Sequence, residues 1–187
     1  MSVEKKYHFI AFCGSLRKGS YNAMALKALE KLAPANVTIE QVFFDDIPLY
    51  NADLHTEQLP HQVVPLVKKI AESDGVIFAS PEYNYSIPGG LKNTIDVLSR
   101  HPDKPFSEKA VAIFGASQGM VGTARMQYHL RQVMVFLNAY VINKPEIMIS
   151  QAQNKFDAEG NLTDELVRKQ MPQLLESLMK LSDKLNR

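Results

Sequence analysis

Short apolar segments alternate with helical patterns five times along this chain of 187 residues. Segments 75–79 and 110–116 are apolar almost without interruption, which is typical of parallel strands buried on both faces. The predicted strands are 9–12, 37–44, 75–79, 110–116 and 140–142, and the predicted helices are 24–32, 63–73, 91–98, 126–137 and 162–185. The region 143–161 is expected to be mostly irregular. This alternation predicts one α/β domain over residues 1–187, with a five-stranded parallel sheet between two layers of helices.

A polar loop follows the first predicted strand and leads directly into a helical pattern. Its candidate ligand-binding residues are Ser15, Arg17, Lys18, Gly19, Ser20, Tyr21 and Asn22. Free backbone N–H groups and the helix dipole favour an anion at such a helix start. The alternative is an ordinary turn in which serine and asparagine only cap the helix. That alternative does not explain two cations at a helix N-terminus, where the dipole disfavours them, so the loop predicts a phosphate site.

The spacing of this loop narrows the kind of phosphate. Gly14 and Gly19 have the spacing of a P-loop, but Ser20 and Tyr21 stand where that motif needs Lys and then Ser or Thr. The pyrophosphate motif G-x-G-x-x-G is also missing here. Several hydroxyls and one arginine without a magnesium-binding pair suit a single terminal phosphate, such as that of flavin mononucleotide (FMN).

Two more loops follow the third and fourth predicted strands. The first contains Pro81, Glu82, Tyr83, Asn84 and Tyr85, which offer rings and an amide to a planar ligand. The second contains Ser117 and is interpreted equally well as an opposite wall of the site or as an ordinary turn. Ligands of open parallel sheets bind outside the carboxyl ends of the strands. The three loops together therefore predict one ligand site at that edge.

Charge and composition exclude several classes of function. The formal net charge is +1 with Lys and Arg spread throughout, which argues against a nucleic-acid partner. No apolar run approaches the ~20 residues of a membrane helix, and the first residues lead into a strand without room for a signal peptide. We therefore expect a cytoplasmic protein without a membrane partner. Cys13 is the only cysteine, which excludes an internal disulfide, and the five histidines show no metal-ligand spacing, so no metal site is expected.

Three segments carry a resemblance to a known family: 14–20 (GSLRKGS), 81–93 (PEYNYSIPGGLKN) and 125–131 (RMQYHLR). They closely resemble the NAD(P)H-dependent FMN reductase family, and more narrowly its chromate and quinone reductase branch. The resemblance extends over about residues 7–154. It implies a flavodoxin-like fold, bound FMN, and two-electron reduction of quinones, with chromate and azo compounds as further oxidants, by NADH or NADPH.

The resemblance also implies roles for individual residues. Ser15, Arg17, Ser20 and Asn22 would hold the phosphate. Pro81, Glu82, Tyr83 and Asn84 would line the isoalloxazine ring, largely through their backbone, and Ser117 would complete the site. No catalytic side chain is assigned, since FMN carries the hydride chemistry and the protein supplies orientation and electrostatics.

Two other functions remain open at the level of the sequence. A one-electron carrier of the flavodoxin type is disfavoured because such carriers are usually strongly acidic, and this chain is not. A sensory or structural domain with a vacant nucleotide pocket is the third hypothesis. The preference between NADH and NADPH and the physiological acceptor do not follow from the sequence.

Assembly is a further expectation. Arg125, Tyr128 and Gln132 lie on one helical stripe, opposite the apolar face formed by Met126, Leu130 and Met134. The outward stripe is rich in residue types that are enriched at interfaces. Members of the resembling family are commonly dimers or tetramers. We therefore expect a homodimer or homotetramer with Arg125, Tyr128 and Glu146 in or beside an interface.

Overall fold

The computed structural model describes residues 5–54 and 59–186. Within these residues there are six strands: β1 (Tyr7–Cys13), β2 (Val37–Val42), β3 (Gly75–Ala79), β4 (Ala110–Ala116), β5 (Tyr140–Val141) and β6 (Ile147–Ile149). Five α-helices accompany them: α1 (Tyr21–Lys31), α2 (Val63–Glu72), α3 (Gly89–Leu98), α4 (Ala124–Phe136) and α5 (Glu165–Leu185). Of the predicted segments, 45–60 is described only in part, and His55 lies outside the described residues.

The strands form one parallel sheet in the order β2-β1-β3-β4-β5. Phe9 of β1 is paired with Ile39 of β2 on one side and with Gly75 of β3 on the other. After β1 the chain forms β2 on one side of it, and after β2 it crosses back to form β3 on the other side. This reversal is a topological switch point, where ligands bind in open α/β sheets.

The fifth strand position is divided between two short strands. β5 pairs with the start of β4, with Tyr140 opposite Ala110, and β6 pairs with its end, with Ile147 opposite Phe114. The sequence places the apolar run 147–149 inside an irregular region, whereas the structure makes it a strand. The predicted five-stranded parallel sheet is confirmed in this sense, with its fifth position interrupted.

Alternate residues of the buried strands face two separate cores, as the period of a strand requires. Phe9 and Ala11 pack with α1 and α5, whereas Ile10 and Phe12 pack with α2, α3 and α4. Helices therefore cover both faces of the sheet, which confirms the predicted three-layer arrangement.

Several boundaries differ from the prediction. β2 ends at Val42, so Phe43 is 71% exposed and Phe44 turns back into the core. α3 begins at Gly89, two residues earlier than expected, because Pro88 occupies the position before the helix, where its extended backbone is compatible with a helix start. Within the described residues, no helix has the length and apolarity to cross a membrane, and no cluster of three or more potential metal ligands is found.

Candidate cofactor site at the carboxyl edge of the sheet

The loops after β1, β3 and β4 begin at neighbouring positions of the sheet. The N–H of Gly14 donates to Ala79 O (2.8 Å), and the N–H of Ser80 donates to Phe114 O (3.0 Å). A Cβ on Gly14 would lie 2.3 Å from Ser80 Oγ, so only glycine permits this close approach of the first two loops. The structure therefore brings together the three loops that the sequence identifies.

The loop 14–20, which we call the phosphate loop, offers free donors. Ser20 Oγ accepts from the N–H groups of Asn22 (3.2 Å) and Ala23 (3.4 Å) and so caps α1. Within the described residues, the N–H groups of Leu16, Lys18 and Gly19 have no hydrogen-bond partner. Arg17 is exposed, with its guanidinium 5.7 Å from the centre of the Tyr21 ring. Unpaired amides and a free cation at a helix start fit a phosphate group.

The Asn22 side chain is hydrogen-bonded to the end of β4. Asn22 is buried, and its side chain exchanges two hydrogen bonds with the backbone of Ala116: Nδ2 donates to Ala116 O (2.9 Å), and Oδ1 accepts from Ala116 N–H (2.8 Å). Both polar atoms of the amide are thus used to join the phosphate loop to the end of β4. Asn22 therefore fixes the position of the loop.

The second loop contains a tight two-residue turn, and we call residues 82–86 the ring hairpin. Tyr83 and Ser86 exchange two backbone hydrogen bonds (3.0 and 2.9 Å). Asn84 and Tyr85 between them have φ of 49° and 67°. Positive φ at both central residues is the geometry of a type I′ turn, which asparagine tolerates better than tyrosine. The rings of Tyr83 and Tyr85 are exposed to solvent at the mouth of the site.

The carboxylate of Glu82 binds the start of α4. Its Oε2 accepts from the N–H groups of Arg125 (3.0 Å) and Met126 (3.2 Å), while its Oε1 pairs with Arg125 Nη1 (2.9 Å). The Arg125 guanidinium also stacks on Tyr85, 3.9 Å from the ring centre. Sequence reasoning assigned Glu82 to the site but missed this contact, because nothing in the local pattern links residues 43 positions apart.

The third loop is held by a hydrogen bond within the loop and by backbone bonds to the segment 149–152. Ser117 Oγ donates to Gly122 O (2.6 Å), and Gly119 O accepts from Gln151 N–H (3.1 Å). Gly122 has a φ of +64°. The donor of Ser117 is therefore used within the loop, and its oxygen retains acceptor capacity only. Met120 stands 83% exposed at the tip.

The pKa values of Cys13 and Glu146 are shifted, each by its surroundings in the fold. Burial raises the pKa of the Cys13 thiol, so this side chain stays neutral at the end of β1. The ammonium group of Lys144, 3.0 Å from Glu146, lowers the pKa of the Glu146 carboxyl. Tyr128 donates a weaker bond to the same carboxylate (3.4 Å). Arg125 and Glu146 thus each have a partner of opposite charge within this chain.

Comparison with known proteins identifies the family. The sequence profile of NADPH-dependent FMN reductases matches residues 7–154. The chain is also 50% identical over 169 residues to an NAD(P)H-dependent FMN reductase of Pseudomonas aeruginosa, covering 90% of this chain and 91% of that protein. This chain belongs to the NADPH-dependent FMN reductase family.

Two further similar proteins support the same assignment. A quinone reductase of Escherichia coli is 48% identical over 166 residues, covering 87% of this chain and 88% of that protein. Among solved structures, the flavoenzyme NAD(P)H:(acceptor) oxidoreductase FerB of Paracoccus denitrificans superposes with a TM-score of 0.85 at 31% identity, over 95% of this chain and 98% of that one. The expected flavodoxin-like fold, FMN cofactor and NAD(P)H donor are confirmed.

The residues at the carboxyl edge fit the FMN of this reductase family. The unpaired amides of the phosphate loop suit a phosphate. A Cβ on Gly89, at the first turn of α3, would meet nothing within 4 Å, so the backbone there is open on that side. Pro88 before it makes no side-chain cap, which leaves the first N–H groups of α3 available. The site can therefore hold a phosphate at one end and a planar ring near the hairpin.

Proposed function

We propose that this protein reduces quinones by two electrons at the expense of NADH or NADPH, with FMN as its cofactor. Family membership supports the reaction, and relatives from Escherichia coli and Solanum tuberosum carry the names quinone reductase and NAD(P)H:quinone oxidoreductase. The observation that carries the proposal is the convergence of three loops at the switch point of the sheet, with free amides in one and exposed rings in another.

The residues divide the work of binding. The phosphate is bound by the phosphate loop, through the backbone of Lys18 and Gly19 and the side chains of Ser15, Arg17 and Ser20. In the first turn of α1, Tyr21 lies beneath the Arg17 guanidinium, and Asn22 joins this turn to the end of β4. Pro81, Glu82, Tyr83 and Asn84 line the ring, and Ser117 contributes an acceptor on the other side. Bound FMN would supply the hydride-transfer chemistry that connects oxidation of the nicotinamide to two-electron reduction of the quinone. The protein orients both substrates on one exposed ring.

Steady-state oxidation of NADH and NADPH by the FMN-loaded protein, with a benzoquinone as acceptor, tests this function. We expect turnover that depends on added quinone and on bound FMN. A carrier of the flavodoxin type would retain FMN but show no NAD(P)H oxidation of its own. Absence of FMN binding by the purified chain would exclude both functions. Chromate and azo dyes can be compared as acceptors in the same assay, and we propose that they are slower than quinones.

We also propose that the protein is a cytoplasmic homodimer or homotetramer formed through the α3–α4 face. A groove of about 540 Å³ lies between these helices, with Ile95 and Val133 among its lining residues. Phe136, 83% exposed, stands at the groove, and Tyr128 is exposed on the same helix. Exposed apolar side chains beside a groove give a surface that can bind a copy of itself. Arg125 and Glu146 have partners within the chain, but a guanidinium has five N–H donors and a carboxylate about four acceptor positions, so each can form a further bond to a neighbouring subunit.

Light scattering on size-exclusion fractions tests the assembly. We expect a mass at least twice the 21.0 kDa of one chain. Phe136→Ser should shift the mass toward one chain, whereas Leu166→Ser, a matched change of an exposed residue on α5, should not. The variant Arg125→Glu tests whether Arg125 lies at the interface. An unchanged mass of the oligomer in this variant would contradict that assignment alone. A wild-type mass of one chain at micromolar concentration would contradict the assembly.

A further inference from the structure

The start of α4 has no cap of its own. Thr123 stands at the position before the helix, but its side chain makes no capping hydrogen bond, and its Oγ1 instead accepts from Gln127 Nε2 (3.0 Å). The first turn of α4 also contains no acidic residue. The N–H groups left without a local acceptor include those of Arg125 and Met126, the second and third residues of the helix. A helix start of this kind needs an acceptor from elsewhere in the chain.

Glu82 supplies that acceptor from the ring hairpin. Its Oε2 bonds both N–H groups, at the positions where an ordinary capping side chain would bond them. Its Oε1 pairs with the Arg125 guanidinium, and the Glu82 side chain is only 9% exposed. All three hydrogen bonds of this carboxylate are charge-assisted or directed at a helix dipole, which makes them stronger than neutral ones.

The hairpin that Glu82 begins has a backbone conformation that needs support. Tyr85 has a φ of 67°, a region that L-residues with large side chains rarely occupy. Such a conformation persists only where the surrounding structure determines it. The contacts that determine it here come mainly from α4: the Glu82 carboxylate on its first turn, the Arg125 guanidinium on the Tyr85 ring, and His129 Nδ1 at 3.0 Å from Ser86 Oγ.

We propose that Glu82 is a positioning residue, whose carboxylate holds the ring hairpin in the one conformation that receives the isoalloxazine of FMN. The inference rests on the proposed function, because it takes the hairpin as the ring-binding element. The side chain itself acts through α4 and through the backbone of residues 83–85. If only a fraction of molecules holds the hairpin in this conformation, the apparent affinity for FMN falls by that fraction.

Two independent measurements on Glu82→Gln test this. The variant keeps the shape of the side chain and removes its charge. In the apoprotein, we expect protection of the Tyr83 and Ser86 amides against hydrogen exchange to fall about tenfold, the loss expected for charge-assisted hydrogen bonds. The exchange data also give the fraction of molecules with a formed hairpin, and the dissociation constant of FMN should rise in inverse proportion to that fraction. In the loaded enzyme, kcat and the visible circular dichroism of the flavin should change while KM for the quinone stays near its wild-type value.

Asp164→Asn is the matched control. Asp164 also caps a helix, accepting from Val167 N–H (2.9 Å), and also forms an ion pair, with Lys155 (3.1 Å), but it lies at the start of α5. It should lower global stability without changing hairpin exchange, FMN affinity or the flavin spectrum. If Glu82→Gln fails to fold, Arg125→Met carries the test, with a smaller loss of protection, about threefold, because the Oε2 contacts to α4 remain.

The outcomes separate this inference from the function on which it rests. Wild-type protein that binds no FMN overturns the proposed function. Wild-type protein that binds FMN and reduces quinone, beside a Glu82→Gln variant with unchanged amide protection and FMN affinity within twofold, overturns the positioning role alone. Loss of protection in Asp164→Asn as well as in Glu82→Gln would also overturn it, because the effect would then follow global stability.

Discussion

The phosphate loop and the ring hairpin lie side by side at one edge of the sheet, but they are held in opposite ways. The phosphate loop is organised mainly by neighbours in sequence: Ser20 caps the helix that it begins, and Ser15 Oγ accepts from the N–H of Arg17 (3.4 Å). The ring hairpin depends on α4 for its support, through contacts made by Glu82 and Ser86 with residues 43 positions later.

Because they are held differently, the phosphate loop and the ring hairpin should respond differently to substitutions. A locally organised loop keeps its shape when distant parts of the fold are altered, because its own side chains satisfy its backbone. A hairpin held by a distant helix changes when either element moves. We therefore expect substitutions under the hairpin to affect both folding and flavin binding, and substitutions at the exposed tip of the phosphate loop to affect binding alone.

The largest effect is expected at Gly115, beneath the hairpin. A Cβ there would lie 2.0 Å from Ser80 O and 2.6 Å from Thr123 Oγ1, the residues that precede the ring hairpin and α4. Because one of these atoms is backbone, the strands must move apart. We expect Gly115→Ala to lower the free energy of unfolding by about 3–4 kcal/mol, at or above the upper end for overpacking in a core.

Urea denaturation followed by circular dichroism measures this change. Gly89→Ala is the matched control, since its Cβ would meet open space at the first turn of α3. That control should change stability by less than about 0.5 kcal/mol, as surface substitutions usually do. Equal free energies of unfolding for Gly115→Ala and Gly89→Ala would contradict the close contact of Gly115 with Ser80 and Thr123.

The next effect concerns Asn22, in the first turn of α1 directly after the phosphate loop. Asn22→Ala removes both hydrogen bonds to Ala116 and leaves a buried N–H and a buried C=O without partners. We expect a loss of about 2–3 kcal/mol in the free energy of unfolding of the apoprotein. Thr38→Ala, which loses one partly buried bond to Tyr7 O (3.1 Å), provides a control of smaller effect. A loss no greater than in Thr38→Ala would show that the Asn22 bonds do not anchor the loop.

The same contrast explains which features could be predicted from the sequence. The strands 75–79 and 110–116 follow from local patterns, and the structure reproduces them. The Ser20 cap is part of the alternative interpretation of its loop, and the structure contains it. The short strand 147–149 was missed because it forms only by pairing with the end of β4. The hydrogen-bond partners of the Asn22 and Glu82 side chains could not be predicted, because a partner that is distant in sequence is set only by the folded chain. Both residues belong to the predicted site, but their side chains hold the scaffold.

Arg17 should show the reverse of Asn22, with a large effect on binding and almost none on folding. Its exposed guanidinium lies over the Tyr21 ring and forms no hydrogen bond or ion pair within the described residues. We expect Arg17→Ala to weaken FMN binding by about 1.5–3 kcal/mol, the range for a hydrogen bond to a charged group, with unchanged stability of the apoprotein. Calorimetric titration with FMN measures it. Arg100→Ala, which removes a similar cation–ring contact with Tyr50 (5.4 Å), is the control and should bind FMN normally.

The smallest effect is expected at Asn84 in the ring hairpin. Two variants of this residue distinguish the contribution of its backbone conformation from that of its side-chain amide. Asn84 has a φ of 49°, so Asn84→Ala forces a methyl-bearing residue into the left-handed region, at about 1 kcal/mol. Asn84→Gly removes the same amide but accepts this φ without strain. We expect Ala to lower the melting temperature of the apoprotein and Gly to leave it nearly unchanged. If both variants weaken FMN binding equally, the amide contacts the ring. If only Ala weakens it, the contribution of Asn84 is conformational, as a hairpin held at its base by Glu82 would require.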